Sequence, residues 1–358
     1  MSDSGAAGAP GAALPRVGVI GYGLAGRVFH SPLVAAEPGL DLAAIVTGDG
    51  ERADAARSRY PRAVVVPTVD ALLDQGVDLA VVASPTPTHA ELASRLLEAG
   101  IPTVVDKPFA VHAADGEALI ALAAARGVPF TAFQNRRWDG DFLTVQKLLA
   151  AGELGEVRRF ESRFEWISSR PRPAWKSGTA GAEGGGVAYD LGAHLVDQAI
   201  RLFGPVASFY GELDAHRGGP NDDDAFIALE HESGIRSHLA MSSLVAQRAH
   251  RFRVLGAEGA FTKWGLDVQE AQLAGGMSPL DAAYGVDAEE AWGRLGRDGE
   301  TTPVPTERGG YRAFYAQVAA ALRGEGPMPV DPAESLEAIR IIEELHGRAH
   351  GATHGRAA

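Results

Sequence analysis

Three side chains in this sequence have the types and positions for proton and charge chemistry. Asp190 and His194, in the string Tyr189-Asp-Leu-Gly-Ala-His-Leu-Val-Asp197, stand four apart. On an α-helix that spacing puts them on one face, a turn apart. An imidazole beside a carboxylate exchanges a proton near neutral pH, because its unperturbed pKa is about 6.5. The same spacing also suits a structural pair that ties a helix to its neighbour, and spacing alone leaves both open. Lys107, in Asp106-Lys-Pro108, follows a short apolar run. An ammonium there suits a hydrogen bond to an oxygen that gains alkoxide character. A solvated surface lysine is the commoner fate, so the position has to decide.

A second kind of chemistry lies near the start. Gly21-Tyr22-Gly23-Leu24-Ala25-Gly26 comes directly after the apolar run 16–20 and before a helical stretch to about Glu37. Gly-x-Gly-x-x-Gly between a strand and a helix is the setting in which the pattern holds a dinucleotide. The first glycine makes the tight turn, the second admits a pyrophosphate to the backbone, and the third lets helix and strand approach. The helix N-terminus then offers free N–H groups and a positive dipole end.

The elements that must position these groups follow from the hydrophobic pattern. Apolar runs at 42–46, 64–66, 79–82, 103–105 and 129–133 alternate with helical stretches at 51–60, 69–75, 88–99 and 113–126. Such alternation means a parallel sheet covered on both faces, a dinucleotide-binding domain over residues 16–133. A ligand of such a sheet lies outside the carboxyl ends of its strands. Those ends are the Gly21 turn, Thr47-Gly-Asp49, Ser84-Pro85-Thr86, Asp106-Lys-Pro108 and Gln134-Asn135-Arg136. At the second of them, Asp49 suits the ribose 2′-OH of NAD, Arg52 suits the 2′-phosphate of NADP, and both suit a plain helix cap. NAD and NADP therefore both stay open.

Beyond Phe133 the pattern changes. A helix over 139–151 precedes strand-like runs at 157–166, 206–214, 225–230, 235–241 and 252–255, several joined by short turns. This predicts an α+β domain over 134–345, built on a largely antiparallel open sheet with helices on one face. The fold class is thus α/β, an N-terminal Rossmann domain with an α+β domain after it. A bare sheet face is a liability, so the other face is expected to pair with a second copy in a homodimer or homotetramer.

Composition narrows the function classes. The 358 residues hold 33 Lys+Arg against 46 Asp+Glu, a net charge of −13. That balance argues against nucleic acid or an anionic membrane as partner. Cys is absent, which removes disulfides, thiolate metal sites and thiol nucleophiles. Residues 1–15 read as a disordered lead-in and not a signal peptide. His346, His350 and His354 recur every four residues. Interleaved glycines make a flexible tail over 346–358 the expectation there, and no metal site is expected. The expected location is cytoplasmic.

With these residues in order, the chain resembles the Gfo/Idh/MocA family of NAD(P)-dependent oxidoreductases. The likeness rests on Gly21-x-Gly-x-x-Gly26, Asp106-Lys-Pro-Phe109 (Asp106 standing for the family's usual Glu) and Asp190-x-x-x-His194. Asn135-Arg-Arg-Trp-Asp139, Tyr189-Asp-Leu-Gly-Ala-His194 and Lys263-Trp-Gly-Leu-Asp267 with Gln269-Glu270 resemble the inositol dehydrogenase branch more narrowly. The resemblance implies that Lys107, Asp190 and His194 are catalytic, with Asp190 orienting the imidazole. It implies that Ser84, Pro85, Thr86 and His89 form a cofactor-edge loop, and that Trp175 lies near the nicotinamide with Lys176 in place of the usual Arg. The implied activity interconverts a secondary alcohol and a ketone on a cyclic polyol or sugar. Rival readings are an aldose or anhydro-sugar reductase, an NAD-retaining glycosidase, and a non-catalytic dinucleotide-sensing regulator of the same fold. Substrate specificity is expected in loops 168–176 and 281–309, with Arg163, Arg170 and Arg172 available to substrate hydroxyls or to solvent.

Overall fold

The computed structural model of the chain describes residues 13–168 and 178–348. The apolar runs of the first third form β1 (Arg16–Ile20), β2 (Asp41–Val46), β3 (Val64–Val66), β4 (Leu79–Val82), β5 (Thr103–Asp106) and β6 (Phe130–Phe133). They make one sheet in the order β3-β2-β1-β4-β5-β6, parallel throughout. Val81 and Val82 at its centre have no exposed surface, so both faces need helices. These are α1 (Ser31–Ala36, entered through a π-helical turn Ala25–His30), α2 (Gly50–Arg59), α3 (Val69–Leu73), α4 (His89–Glu98) and α5 (Ala113–Arg126). The strand order reverses between β1 and β4, and a crevice opens there outside the carboxyl ends.

The second sheet has eight strands. After α6 (Gly140–Ala150) come β7 (Val157–Glu165), a π-helical turn Ala188–Gly192, α7 (Ala193–Phe203), β8 (Val206–Asp214), β9 (Asp224–His231), β10 (Arg236–Ser242) and β11 (Phe252–Gly256). β12 (Ala260–Lys263), α8 (Gln269–Ala274), β13 (Gly293–Arg297), β14 (Glu300–Val304), α9 (Tyr311–Leu322) and α10 (Pro332–Arg348) complete the chain. The order is β14-β13-β12-β11-β7-β10-β9-β8. Among the described residues of this sheet, only β7 and β10 pair in parallel. The sequence pattern misses β12, which is only four residues long, and β13 and β14, whose largely exposed Gly-Arg-Leu-Gly-Arg and Glu-Thr-Thr-Pro-Val carry no apolar alternation.

β7 shows how the sheet divides its faces. Phe160 and Phe164 point into a core shared with Leu195, Val196, Ile341 and Ile342. Arg163 points the other way, bonded to Glu161 and close to Glu165 and His250. Arg163 is therefore an ion-pair member of the outer face and does not reach toward α7. Arg170 and Arg172 lie outside the described residues.

The first core does not stop at residue 133: α9 and part of α10 return to it. Tyr311, Phe314, Tyr315, Leu336 and Ile339 pack with the parallel sheet, and the Phe133 and Phe314 rings meet edge to face at 4.8 Å. The frayed end does not begin at His346 either. The helix runs to Arg348, and His346 is buried, stacked on Tyr189 and bonded through Nε2 to Asp222. Its apolar neighbours hold the last turn despite the adjacent glycine. His350 and His354 lie outside the described residues.

Candidate active site

The glycine turn is shaped for a dinucleotide. Gly21 has φ +101°, and a Cβ there would sit 2.6 Å from the Ala83 carbonyl oxygen. Its N–H donates to the Val46 oxygen at 3.0 Å, so the turn is locked to both neighbouring strands. A Cβ on Gly26 would fall 1.8 Å from the Gly21 oxygen, whereas one on Gly23 would meet nothing within 4 Å. The chain thus closes tightly at the first and third glycines and stays open at the second, where a pyrophosphate must approach. Tyr22 is buried beneath the turn, and Leu24 is exposed on it with Ala25 beside it. These residues fit the adenine dinucleotide that the motif requires.

At the end of β2, Asp49 is the N-cap of α2, its Oδ1 accepting from the Arg52 N–H at 2.9 Å. Thr47 Oγ1 accepts from the Asp49 N–H at 3.3 Å. The carboxylate therefore already occupies the helix end that a 2′-phosphate would seek.

The loop after β4 is tied to the loop after β5 from below. Ser84 and Thr88 hydroxyls bond at 2.6 Å, and Thr86 opens a short 3-10 turn after Pro85. His89, expected at the cofactor edge, is instead buried, with Nδ1 facing the Pro108 carbonyl at 2.8 Å and Nε2 the Ser84 carbonyl at 2.9 Å. The neutral ring donates to one of these two carbonyls and bridges the two loops through that bond. Asp106 accepts the Lys107 N–H at 2.8 Å. Burial alone would raise its carboxyl, but contact with His30 and the charges of Lys107 and His89 hold it below the ordinary range.

Lys107 and Asp190 meet across the two domains. Lys107 Nζ donates to Asp190 Oδ1 at 3.2 Å and to the Asp190 main-chain oxygen. Asp190 lies on the π-helical turn Ala188–Gly192, not on the α-helix that carries His194. The Asp190 carboxylate thus pairs with the lysine, and its charge also acts on the imidazole. His194 Nδ1 instead faces Gln134 Oε1 at 3.2 Å. Burial pushes the His194 pKa well below the ordinary imidazole value. The charges of Lys107, Arg136 and Arg251 reinforce that fall, and Asp190 opposes it.

The turn after β6 is the seam that positions this helix. Gln198 Nε2 donates to the Arg136 carbonyl at 2.8 Å. Arg137 makes a bidentate pair with Asp197 at 2.8 and 2.7 Å. His194, Asp197 and Gln198 thus lie on one face of α7, all against residues 134–137. At the other end, Asp222 Oδ2 accepts the Ala188 N–H at 2.7 Å and caps the π-helical turn. Gln134, Arg137, Asp197 and Asp222 are not among the expected site residues. Gln134-Asn-Arg136 is recognisable in the sequence only as a strand-end loop. Asn135 is buried within it. Trp175 and Lys176 lie outside the described residues.

The family-like strings converge beside the seam. Arg136 bonds Glu270, Asp267 accepts the Gly140 N–H at 2.7 Å, and Gln269 Nε2 donates to the Trp138 carbonyl. Burial raises the carboxyl of Asp139 well above the ordinary range and pushes Asp267 up to about 6. Lys263 is structural, its buried Nζ donating to Asp287 and the Ala291 carbonyl at 2.7 Å each.

The comparisons agree with this geometry. Residues 15–133 match the model of an oxidoreductase family with an NAD-binding Rossmann fold, and residues 142–262 match the GFO/IDH/MocA C-terminal domain. Uncharacterized oxidoreductase YdgJ of Escherichia coli (strain K12) is 39% identical over 350 residues, covering 94% of this chain and 97% of its own. The NADP(+)-dependent scyllo-inositol 2-dehydrogenase IolW of Bacillus subtilis (strain 168) is 32% identical over 335 residues, covering 92% of each chain. The solved structure of YPO2259 from Yersinia pestis superposes with a TM-score of 0.86 at 36% identity, over 96% of this chain and 98% of that one. A dinucleotide turn and an antiparallel-sheet domain joined in this order make the chain a member of the Gfo/Idh/MocA family of NAD(P)-dependent oxidoreductases.

Proposed function

We propose that the protein interconverts a secondary alcohol and a ketone on a cyclic polyol or sugar, with an inositol as the reference substrate. The observation that carries this reading is the Lys107–Asp190 ion pair beside a buried imidazole, at the crevice bordered by the glycine turn. The printed function of the IolW relative favours an inositol.

When bound, the nicotinamide supplies a carbon that accepts a hydride in oxidation and returns it in reduction. Lys107 donates a hydrogen bond to the reacting oxygen and stabilises the charge it develops. Asp190 holds the ammonium in place. His194 takes the hydroxyl proton and passes it to solvent. Its depressed pKa keeps the imidazole neutral at neutral pH, the form that can accept. In the reverse direction the protonated imidazole donates to the new hydroxyl. Net oxidation thus turns alcohol and NAD(P)⁺ into ketone, NAD(P)H and one proton.

The sheet face opposite the helices leaves Tyr210 exposed and Phe226 and His238 half-buried, and we place the contact between copies there. A panel of inositols and sugars, each assayed with NAD and with NADP for absorbance of the reduced cofactor, tests the activity. Ketone formed in step with reduced cofactor is the expected result. Substrate consumed with no net cofactor change would reject the reading in favour of a cofactor-retaining glycosidase.

A further inference from the structure

Gln134 sits where a catalytic imidazole commonly has a carboxylate. Its Oε1 is the partner described for His194 Nδ1, at 3.2 Å, and Nε2 has none among the described residues. A carboxamide oxygen accepts and cannot donate. With Oε1 facing the ring, the contact requires a proton on Nδ1 and leaves Nε2 the lone pair.

The contact is built to stay. Gln134 is 2% exposed. Its backbone is bent, with φ −83° and ψ 62°, and its N–H donates to the Ala132 carbonyl at 3.0 Å. Its own carbonyl accepts the Arg137 N–H at 3.1 Å. Across the seam, α7 is held by Arg137–Asp197 and by Gln198 on the Arg136 carbonyl. The backbones on both sides of the contact are thus held by buried bonds.

The neutrality of Gln134 matters as much as its position. The groups that act on the imidazole are Lys107 after β5, Arg136 after β6, Arg251 before β11 and Asp190 on the π-helical turn. Three are cations and one is an anion, which is already paired with Lys107. A carboxylate at position 134 would offset that field and favour the imidazolium. A carboxamide orients the ring without doing so.

We propose that Gln134 is a positioning residue that holds His194 in its Nδ1–H tautomer with Nε2 free for the substrate hydroxyl, and that its lack of charge keeps the imidazole a neutral base. The proposal rests on the role given to His194 above. Its first test is independent of turnover. A ¹H–¹⁵N spectrum of the apoprotein, with the His194 signals assigned by difference from His194→Gln, should show a protonated Nδ1 and an unprotonated Nε2. The opposite tautomer would overturn the proposal even in a fully active enzyme. Failure of every polyol to react would reject the functional reading and leave this tautomer still measurable.

The second test uses two variants on a reactive substrate. Gln134→Met keeps the shape and removes the acceptor, so kcat should fall about 100-fold while KM for the dinucleotide holds. Gln134→Glu should move the acid limb of the oxidation profile up by about one pH unit or more. A wild-type kcat in the first variant together with an unmoved limb in the second would overturn the proposal.

Discussion

Lys107 and Asp190 belong to different sheets' loops, and their side chains meet at 3.2 Å across the crevice. The contact ties the loop after β5 to the turn that precedes α7. Lys107→Ala should lower kcat about 100- to 1000-fold, the usual cost of losing a donor to a developing oxyanion. Dinucleotide affinity, read by fluorescence titration, should change little. Asp190→Asn keeps a hydrogen-bond acceptor but not the charge, so it should be milder than the lysine variant. Wild-type turnover in Lys107→Ala would remove the lysine from the mechanism.

Acid should weaken the fold through its buried imidazoles. Burial, then the cations Lys107, Arg136 and Arg251, depress the His194 pKa, and burial depresses His89 against the pull of Asp106. Below about pH 6.5 the unfolded chain therefore binds protons that the folded one refuses. Their contribution to stability is complete above that pH and is lost as the pH falls toward the folded values. The melting temperature should drop between about pH 7 and about pH 5, and drop less in His194→Gln. Equal drops would assign the acid sensitivity to other groups.

The Arg137–Asp197 pair is a buried bidentate contact, with side-chain exposures of 8% and 2%. Removing Asp197 leaves the buried guanidinium with only the partly exposed Glu334 carboxylate, and losing one partner of a buried pair typically costs about 3–5 kcal/mol. Asp197→Ala should lower the denaturation midpoint strongly, and Arg137→Met with Asp197→Leu should recover much of the loss. If the double variant is no better than the single one, packing and not the stranded charge explains the effect.

The glycine turn gives the sharpest geometric test. A Cβ on Gly26 would lie 1.8 Å from the Gly21 oxygen, so Gly26→Ala should abolish binding of both dinucleotides by calorimetry. Measurable affinity in that variant would place the cofactor elsewhere.

Cofactor preference should turn on the charge of Asp49. Asp49→Ser keeps an N-cap acceptor for the Arg52 N–H while removing the carboxylate. The ratio of kcat/KM for NADP over NAD should rise about tenfold, equivalent to about 1.4 kcal/mol. An unchanged ratio would confine Asp49 to capping α2.

Much of this protein is legible from local rules. The parallel sheet follows from apolar runs separated by helical stretches, and each strand end names a loop. The dinucleotide turn is readable because its glycines answer to backbone geometry within six residues. Lys107, Asp190 and His194 stand out because their residue types are scarce in such positions. Strands β13 and β14 are not legible, since exposed strands need no apolar alternation, and β12 is only four residues long.

What the sequence determined by itself, then, is the periodicity that builds the sheets, the glycine turn and the residue types of the site. Tertiary structure alone decided who meets whom. Asp190 turns to Lys107, 83 residues away, and His194 turns to Gln134, 60 residues away. The physical reason is that tautomer, pKa and ion pairing depend on burial and on charges brought in by other elements, and no spacing along the chain encodes them.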